Sequence, residues 1–284
     1  MKRYLYIVCA MLMGVFASCS KNEIGGNDAD STGTVVLKVT ADEGIQTRAK
    51  AVDRYVIEVY TDDTYATPAN VFTDGTNKAN NATGEFQMIL DRTKEYYCLL
   101  WADKVASTVY NVTNLKSVSL QDGQTPAEAW YGTYKIEIGK SATLSTELKR
   151  AVSKLTLLET GAIPLNSSLN VAFNQPNVFN VATTAASGTN ARTETINLTA
   201  GVTGTKEAPV RLNDADIYVL SSAAGSVTDL TFTMSNNGTP EPSFSVTNVP
   251  LQTNYNTNIK GHYTSLKSST FTVTCDDLWT VYDE

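Results

Sequence analysis

YYCLLWA, residues 96–102, is apolar at every position. Successive side chains of a β-strand point to opposite faces, so a strand with one wet face alternates, and one without polar positions is covered on both sides. The stretch therefore predicts a central strand. Tyr96, Cys98 and Leu100 share one face, Trp101 is core on the other, and the strand anchors the first core of the chain.

Outward from it, the hydrophobic period is two rather than 3.6 nearly everywhere from residue 34 onward. TVVLKVT (34–40) presents Val35, Leu37 and Val39 on one face; RYVIEVYTD (54–62) presents Tyr55, Ile57 and Val59; EFQMIL (85–90) presents Phe86, Met88 and Leu90. After SATLSTELKR (141–150), a second series opens at AVSKLTLLET (151–160). It continues through LNVAF (169–173), ETINLT (194–199), DIYVLSS (216–222), DLTFTMS (229–235), FSVTNV (244–249) and TFTVTC (270–275). Short strands separated by turn signals predict an all-β chain of two tandem β-sandwiches, residues 34–148 and 149–284. One helical turn is expected at TPAEAW (125–130), where Pro126 suits a first helical position. TTAASGTNART (183–193) reads as a loop, and no repeat of fixed period is visible.

The 284 residues, 42% of them hydrophobic, suffice for two cores of about 100–150 residues each. The formal charge of −7 comes without a basic cluster, which argues against nucleic acid as a partner. The opening MKRYLYIVCAMLMGVFASCS has Lys2 and Arg3, an apolar run from Leu5 to Phe16 and a small-residue exit. This is the pattern of a signal peptide over residues 1–18, with a run too short for a comfortable membrane span. FASC (16–19) resembles the bacterial lipobox, which makes Cys19 the lipidated first residue after cleavage. Residues 19–33 follow as a polar tether rich in Gly, Asn and Asp. With Cys9 in the removed run and Cys19 lipidated, Cys98 and Cys275 remain. Each lies in an apolar strand pattern and is expected to be a buried thiol, the alternative being a disulfide between them.

Catalytic chemistry finds little support. His262, the single histidine, lies in NIKGHYTSL, which carries no nucleophile motif, and is expected at a surface or interface. No Cys or His pair has metal-ligand spacing; the acids of CDD (275–277) and DAD (214–216) read as strand and solvated turn. Trp130, Trp279 and loop tyrosines leave open a stacking platform for carbohydrate. No enzyme, cofactor or metal is expected.

Several segments together resemble the fimbrillin-like (type V pilin, Mfa-like) surface lipoprotein family of Bacteroidota. YYCLLWADKV (96–105), YNVTNLKSVSL (110–120) and AWYGTYKIEI (129–138) resemble its first-domain pattern, a buried strand ending in Trp-Ala-Asp and a later aromatic-Tyr-Gly. LKRAVSKLTL (148–157) resembles the opening of its second domain, and VPLQTNYNTNIKGHYTS (249–265) its penultimate strand region, with Asn256 in place of the usual Arg. The resemblance implies two transthyretin-like β-sandwich domains, location at the outer membrane or in a fimbrium, and other fimbrial subunits as partners. It also implies an Arg-specific protease acting on GIQTRAKAV (44–52), between Arg48 and Ala49, to release the first strand with Val35, Leu37 and Val39. The C-terminal strand, with Phe271, Val273 and Cys275 on one face, becomes the candidate donor to a neighbouring subunit. Alternatives are an uncleaved anchor subunit, a monomeric surface lipoprotein that captures glycan or another cell's protein, and a β-sandwich hydrolase.

Membrane attachment through Cys19 has a direct test, because stable anchoring takes two or more acyl chains. Cys19→Ser is expected to yield an unprocessed or soluble precursor; its recovery in the outer-membrane fraction would overturn the lipobox reading.

Overall fold

A computed structural model describes residues 32–41, 52–104, 108–137, 142–162, 164–198, 203–263 and 270–276. Cys9, Cys19, Arg48, Ala49, Asp277 and Trp279 lie outside the described residues. The first half contributes β1 (Thr32–Ala41), β2 (Arg54–Tyr60), β3 (Lys78–Asn81), β4 (Glu85–Asp91), β5 (Tyr96–Asp103), β6 (Tyr110–Asn111), β7 (Val118–Leu120), β8 (Ala129–Ile136) and β9 (Thr143–Arg150). The second contributes β10 (Val152–Glu159), β11 (Ser167–Gln175), β12 (Val178–Asn180), β13 (Ala185–Ser187), β14 (Asn190–Leu198), β15 (Val210–Arg211) and β16 (Ile217–Leu220). It continues with β17 (Ser226–Asn236), β18 (Thr239–Pro240), β19 (Phe244–Leu251), β20 (Asn256–Gly261) and β21 (Thr272–Asp276). A single 3-10 turn, Leu115–Ser117, interrupts the strands, and among the described residues there is no α-helix.

The first half forms one seven-stranded sheet in the order β3-β2-β5-β8-β9-β1-β4. β8 and β9 are joined by only two residue pairs, Trp130↔Arg150 and Tyr131↔Lys149. The sheet folds over at that corner, so β9-β1-β4 faces β3-β2-β5-β8 across one core. Leu37, Ile57, Phe86, Met88, Leu100 and Leu148 fill it. In the second half, β10 is flanked by β15, β16 and β20, with β21 beyond β20, and this sheet packs against the sheet of β14, β11, β17, β18 and β19. Leu155, Leu157, Val171, Phe232, Ile259 and Tyr263 lie between them.

β5 meets the expectation for a doubly apolar strand. Its Cys98, Leu100 and Ala102 enter the first core, while Leu99 and Trp101 enter a separate core that joins the halves. That joining core contains Tyr110, Leu115 and Val118 from the first half and Val152, Phe179 and Leu220 from the second. Trp101 packs edge-on against Tyr110 at 5.3 Å and tilted against Phe179 at 5.9 Å. A four-stranded sheet, β13-β12-β7-β6, bridges the same junction through the pairs Val178↔Ser119 and Phe179↔Val118. The halves are thus fused through a core and a shared sheet.

Three sequence expectations need correction. TPAEAW is extended rather than helical: the Tyr110 hydroxyl donates to the Ala127 carbonyl at 2.6 Å and accepts from its amide at 3.0 Å, and β8 begins at Ala129. TTAASGTNART contains β13 and the start of β14, joined by a turn in which Gly188 has φ +77. β1 begins at Thr32, inside the expected tether, because the pairs Thr32↔Asp91 and Gly33↔Leu90 extend its ladder with β4.

The Trp-Ala-Asp end of β5 has a physical role. Asp103 is buried and accepts from the Trp101 indole at 2.9 Å and from Arg54 Nε at 2.7 Å, with a second guanidinium nitrogen on its other oxygen. Removing one partner of a buried pair leaves the other charge uncompensated, so Asp103→Ala is expected to destabilise the protein by about 3–5 kcal/mol, read by chemical denaturation. Cys98 is fully buried and burial pushes its thiol pKa up, so the reactive thiolate is suppressed. Alkylating reagents are expected to spare Cys98 in the native protein and label it on unfolding, read by peptide mass; rapid native labelling would contradict the packing.

Candidate functional site

β1 holds the residues singled out for displacement. It lies between β4, to which it is antiparallel, and β9, to which it is parallel. Val35 pairs with Met88 and Leu37 with Phe86 on one side, while Leu37 pairs with Leu144 and Val39 with Thr146 on the other. Val35, Leu37 and Val39 are buried in the first core, and the alternate positions Thr34, Lys38 and Thr40 face solvent. Removal of β1 would part β4 from β9 and uncover that core in one step. The end of β1 is clasped by Gly84, whose carbonyl accepts from Val39 N at 2.8 Å. Gly84 has φ +71, and a Cβ there would fall 2.3 Å from the Val39 oxygen, so the approach requires glycine. The Lys38–Glu85 ion pair beside it, at 2.8 Å, is exposed and adds little.

β21, carrying Val273 and Cys275, is an edge strand that pairs with β20 through Ile259↔Val273 and Thr257↔Cys275. Phe271 stacks with Phe244 at 4.9 Å and Phe232 at 6.2 Å, and meets Tyr263 edge-on at 5.0 Å. Phe271 and Val273 thus seat the strand on its own half. Cys275 is half-buried rather than buried, because an edge position leaves one side open; its Sγ lies 3.7 Å from Thr257 Oγ1. Cys98 and Cys275 are both free thiols.

The chemistry-bearing residues are tied into structure. His262 is about one-third exposed and its Nδ1 lies 2.6 Å from Glu159, a fully buried carboxylate that also accepts from the amides of Gly161 at 2.8 Å and Tyr263 at 3.0 Å. A lone histidine without a motif read as a surface residue; the partner that ties it inward lies 103 residues away. Asp216 is no solvated turn: it accepts from Tyr218 at 2.7 Å and Arg211 at 2.7 Å, with Lys154 at 3.6 Å. Burial alone would raise its pKa, but the Tyr218 hydrogen bond and the charges of Lys154 and Arg211 outweigh it and hold the carboxyl below its ordinary value. Trp130 is 1% exposed, with the Arg150 guanidinium 6.0 Å from its ring, so it offers no stacking platform. Asn256, at the departure from the family pattern, is buried between Thr156 at 2.9 Å and Asn258 at 3.0 Å. Among the described residues, no group of three His, Cys, Asp or Glu could hold a metal. A cleft of about 530 Å³ beside Thr32, lined in part by Phe72, Ile89, Asp91 and Lys94, brings together no titratable pair beyond the Asp91–Lys94 ion pair at 3.6 Å.

Sequence reasoning missed Glu58, buried on β2, where Tyr60 at 2.8 Å, Lys78 at 3.0 Å and the Leu115 amide at 3.1 Å satisfy it. Its signal was present as an acid inside RYVIEVY, at a position where the strand would otherwise bury an apolar residue.

The fold is shared with solved structures. A candidate cell adhesion protein of Bacteroides eggerthii aligns with a TM-score of 0.54 at 10% identity over 89% of this chain and 98% of its own. A candidate adhesin of Bacteroides thetaiotaomicron gives 0.53 at 12% over 87% and 96%, and candidate polysaccharide-binding proteins of the same species give 0.50 at 12% over 81% and 91%. At these identities the likeness is one of fold, and it is the fold implied by the fimbrillin-like resemblance. No curated protein is significantly similar in sequence. Residues 27–280 match the model of a family described only as a family of unknown function, DUF6562, and the chain belongs to that family.

Proposed function

We propose that the chain is a structural subunit of a cell-surface fimbria, secreted, lipidated at Cys19, and assembled by proteolysis and strand exchange. It comprises two sandwich domains, 34–148 and 149–284. The single observation that carries the reading is the placement of β1, an interior strand of its sheet that is also the first strand of the chain. Because it is terminal, one cut in the following connection, between Arg48 and Ala49, would free it without breaking any other strand. Its loss would expose the seat of Val35, Leu37 and Val39, each worth about 1.5–3 kcal/mol when buried. It would also leave β4 and β9 with unpaired ladder groups. A strand from a neighbouring subunit can satisfy both, the donor-strand form of β-augmentation. The C-terminal segment with Phe271, Val273 and Cys275 is the natural donor, being held at a sheet margin by one neighbouring strand.

A second reading, an uncleaved anchor or a monomeric surface adhesin, is supported by the intact first core with β1 seated and β21 folded onto its own half. N-terminal sequencing of protein recovered from fibres or cell surfaces separates the two. Assembled material is expected to begin at Ala49, whereas a blocked start at lipidated Cys19 would overturn the cleavage reading and favour the anchor.

A further inference from the structure

The outer face of the sheet β14-β11-β17-β19 carries no charge. On β11 the outward positions are Ser168, Asn170, Ala172 and Asn174, and their partners on β14 are Asn197, Thr195, Thr193 and Ala191. On the other side, Ser235, Thr233 and Thr231 of β17 continue the same rows, Thr231 pairs with Ser245 of β19, and Ser243 lies just before that strand. No side chain on this surface is larger than asparagine. The contrast with the outer face of β9-β1-β4 is direct, since Lys38, Glu85, Glu147 and Lys149 are exposed there. The nearest acids, Asp229 and Glu241, stand at the margins, where Asp229 accepts the Asn248 amide at 2.9 Å. Neighbours on the face order one another: Thr195 donates to Asn170 at 2.8 Å, and the hydroxyl pairs Thr233 with Ser243 and Thr231 with Ser245 lie at 2.7 and 3.1 Å.

We propose that this face is a binding surface for an extended, uncharged polysaccharide. Nucleic acid and acidic glycans require Lys or Arg to meet their charge, and the face has neither. A protein partner needs aromatic, arginine or apolar anchors at the centre of the interface, and these are absent as well. What remains is a flat array of short hydroxyl and amide side chains with little rotamer entropy to lose and with acceptor capacity left over after their mutual hydrogen bonds. The rows recur about every 4.8 Å across the strands, a spacing comparable with one sugar unit of an extended chain. Without ring stacking each unit binds weakly, so affinity comes from many units engaged at once and from many copies displayed together. The inference rests on the cell-surface reading for its setting, and its test is independent of assembly.

The purified mature protein would be run in native gels containing dextran, mannan, xylan or laminarin, with alginate as the anionic control. Retardation by at least one uncharged polymer and not by alginate is expected. The double variant Thr193→Glu/Thr231→Glu, at solvent-facing positions and with its circular dichroism and melting unchanged, should weaken that retardation at least tenfold. Thr231→Ser should retain it. The proposal fails if no uncharged polymer retards the protein, if retardation survives the double variant, or if the wild type sediments as a dimer that the double variant dissociates, which would make a second copy the occupant. None of these results bears on whether the assembled chain starts at Ala49.

Discussion

β5 has no face to give to water, and the architecture follows from that. A strand apolar on one side can close a sandwich with its other side wet, but Leu99 and Trp101 must also be covered. The cover is built from both halves: Tyr110, Leu115 and Val118 come from the excursion between β5 and β8, and Phe179 and Val181 come from beyond β11. Because Phe179 sits in a strand that pairs with β7, covering Trp101 also welds the second half to the first. The arrangement differs from two beads on a linker in that either half, taken alone, would expose part of the joining core.

The buried acids reinforce this. Asp103, Glu58 and Glu159 each lie where an uncompensated carboxylate would be costly, and each is met by two or three donors from distant parts of the chain. Asp103 ties the end of β5 to the start of β2, Glu58 ties β2 to the turn before β7, and Glu159 ties β10 to the chain following β20. Such contacts specify which strand ends meet, a task that interchangeable apolar contacts perform poorly.

Much of the fold was legible because β-strands write themselves at period two. Val35, Leu37 and Val39, or Leu230, Phe232 and Met234, declare a buried face without help from any other segment. The errors came where distant residues override local chemistry. Pro126 and the acid at Glu128 suit a helix start, yet a tyrosine hydroxyl from position 110 holds the segment extended. DAD has the composition of a solvated turn, but Lys154 and Arg211 draw Asp216 inward, and no spacing in the sequence announces that meeting. Two-residue and three-residue strands such as β6 and β12 carry too short a pattern to be seen at all. For the candidate site, the burial pattern of β1 was readable, whereas its position between β4 and a parallel β9 was not, since parallel neighbours leave no turn in the sequence.

That parallel pairing bears on the order in which the molecule can be built. Thr40 of β1 meets Thr146 of β9 across 106 residues, so the first strand to leave the ribosome has its partner on one side only after the last strand of that half has been made. Closing a loop of such length costs entropy that local hairpins avoid, and β2 with β5, or β5 with β8, can pair well before it is closed. The first half therefore nucleates on its later hairpins, with the oldest segment of chain as the late arrival that completes the sheet.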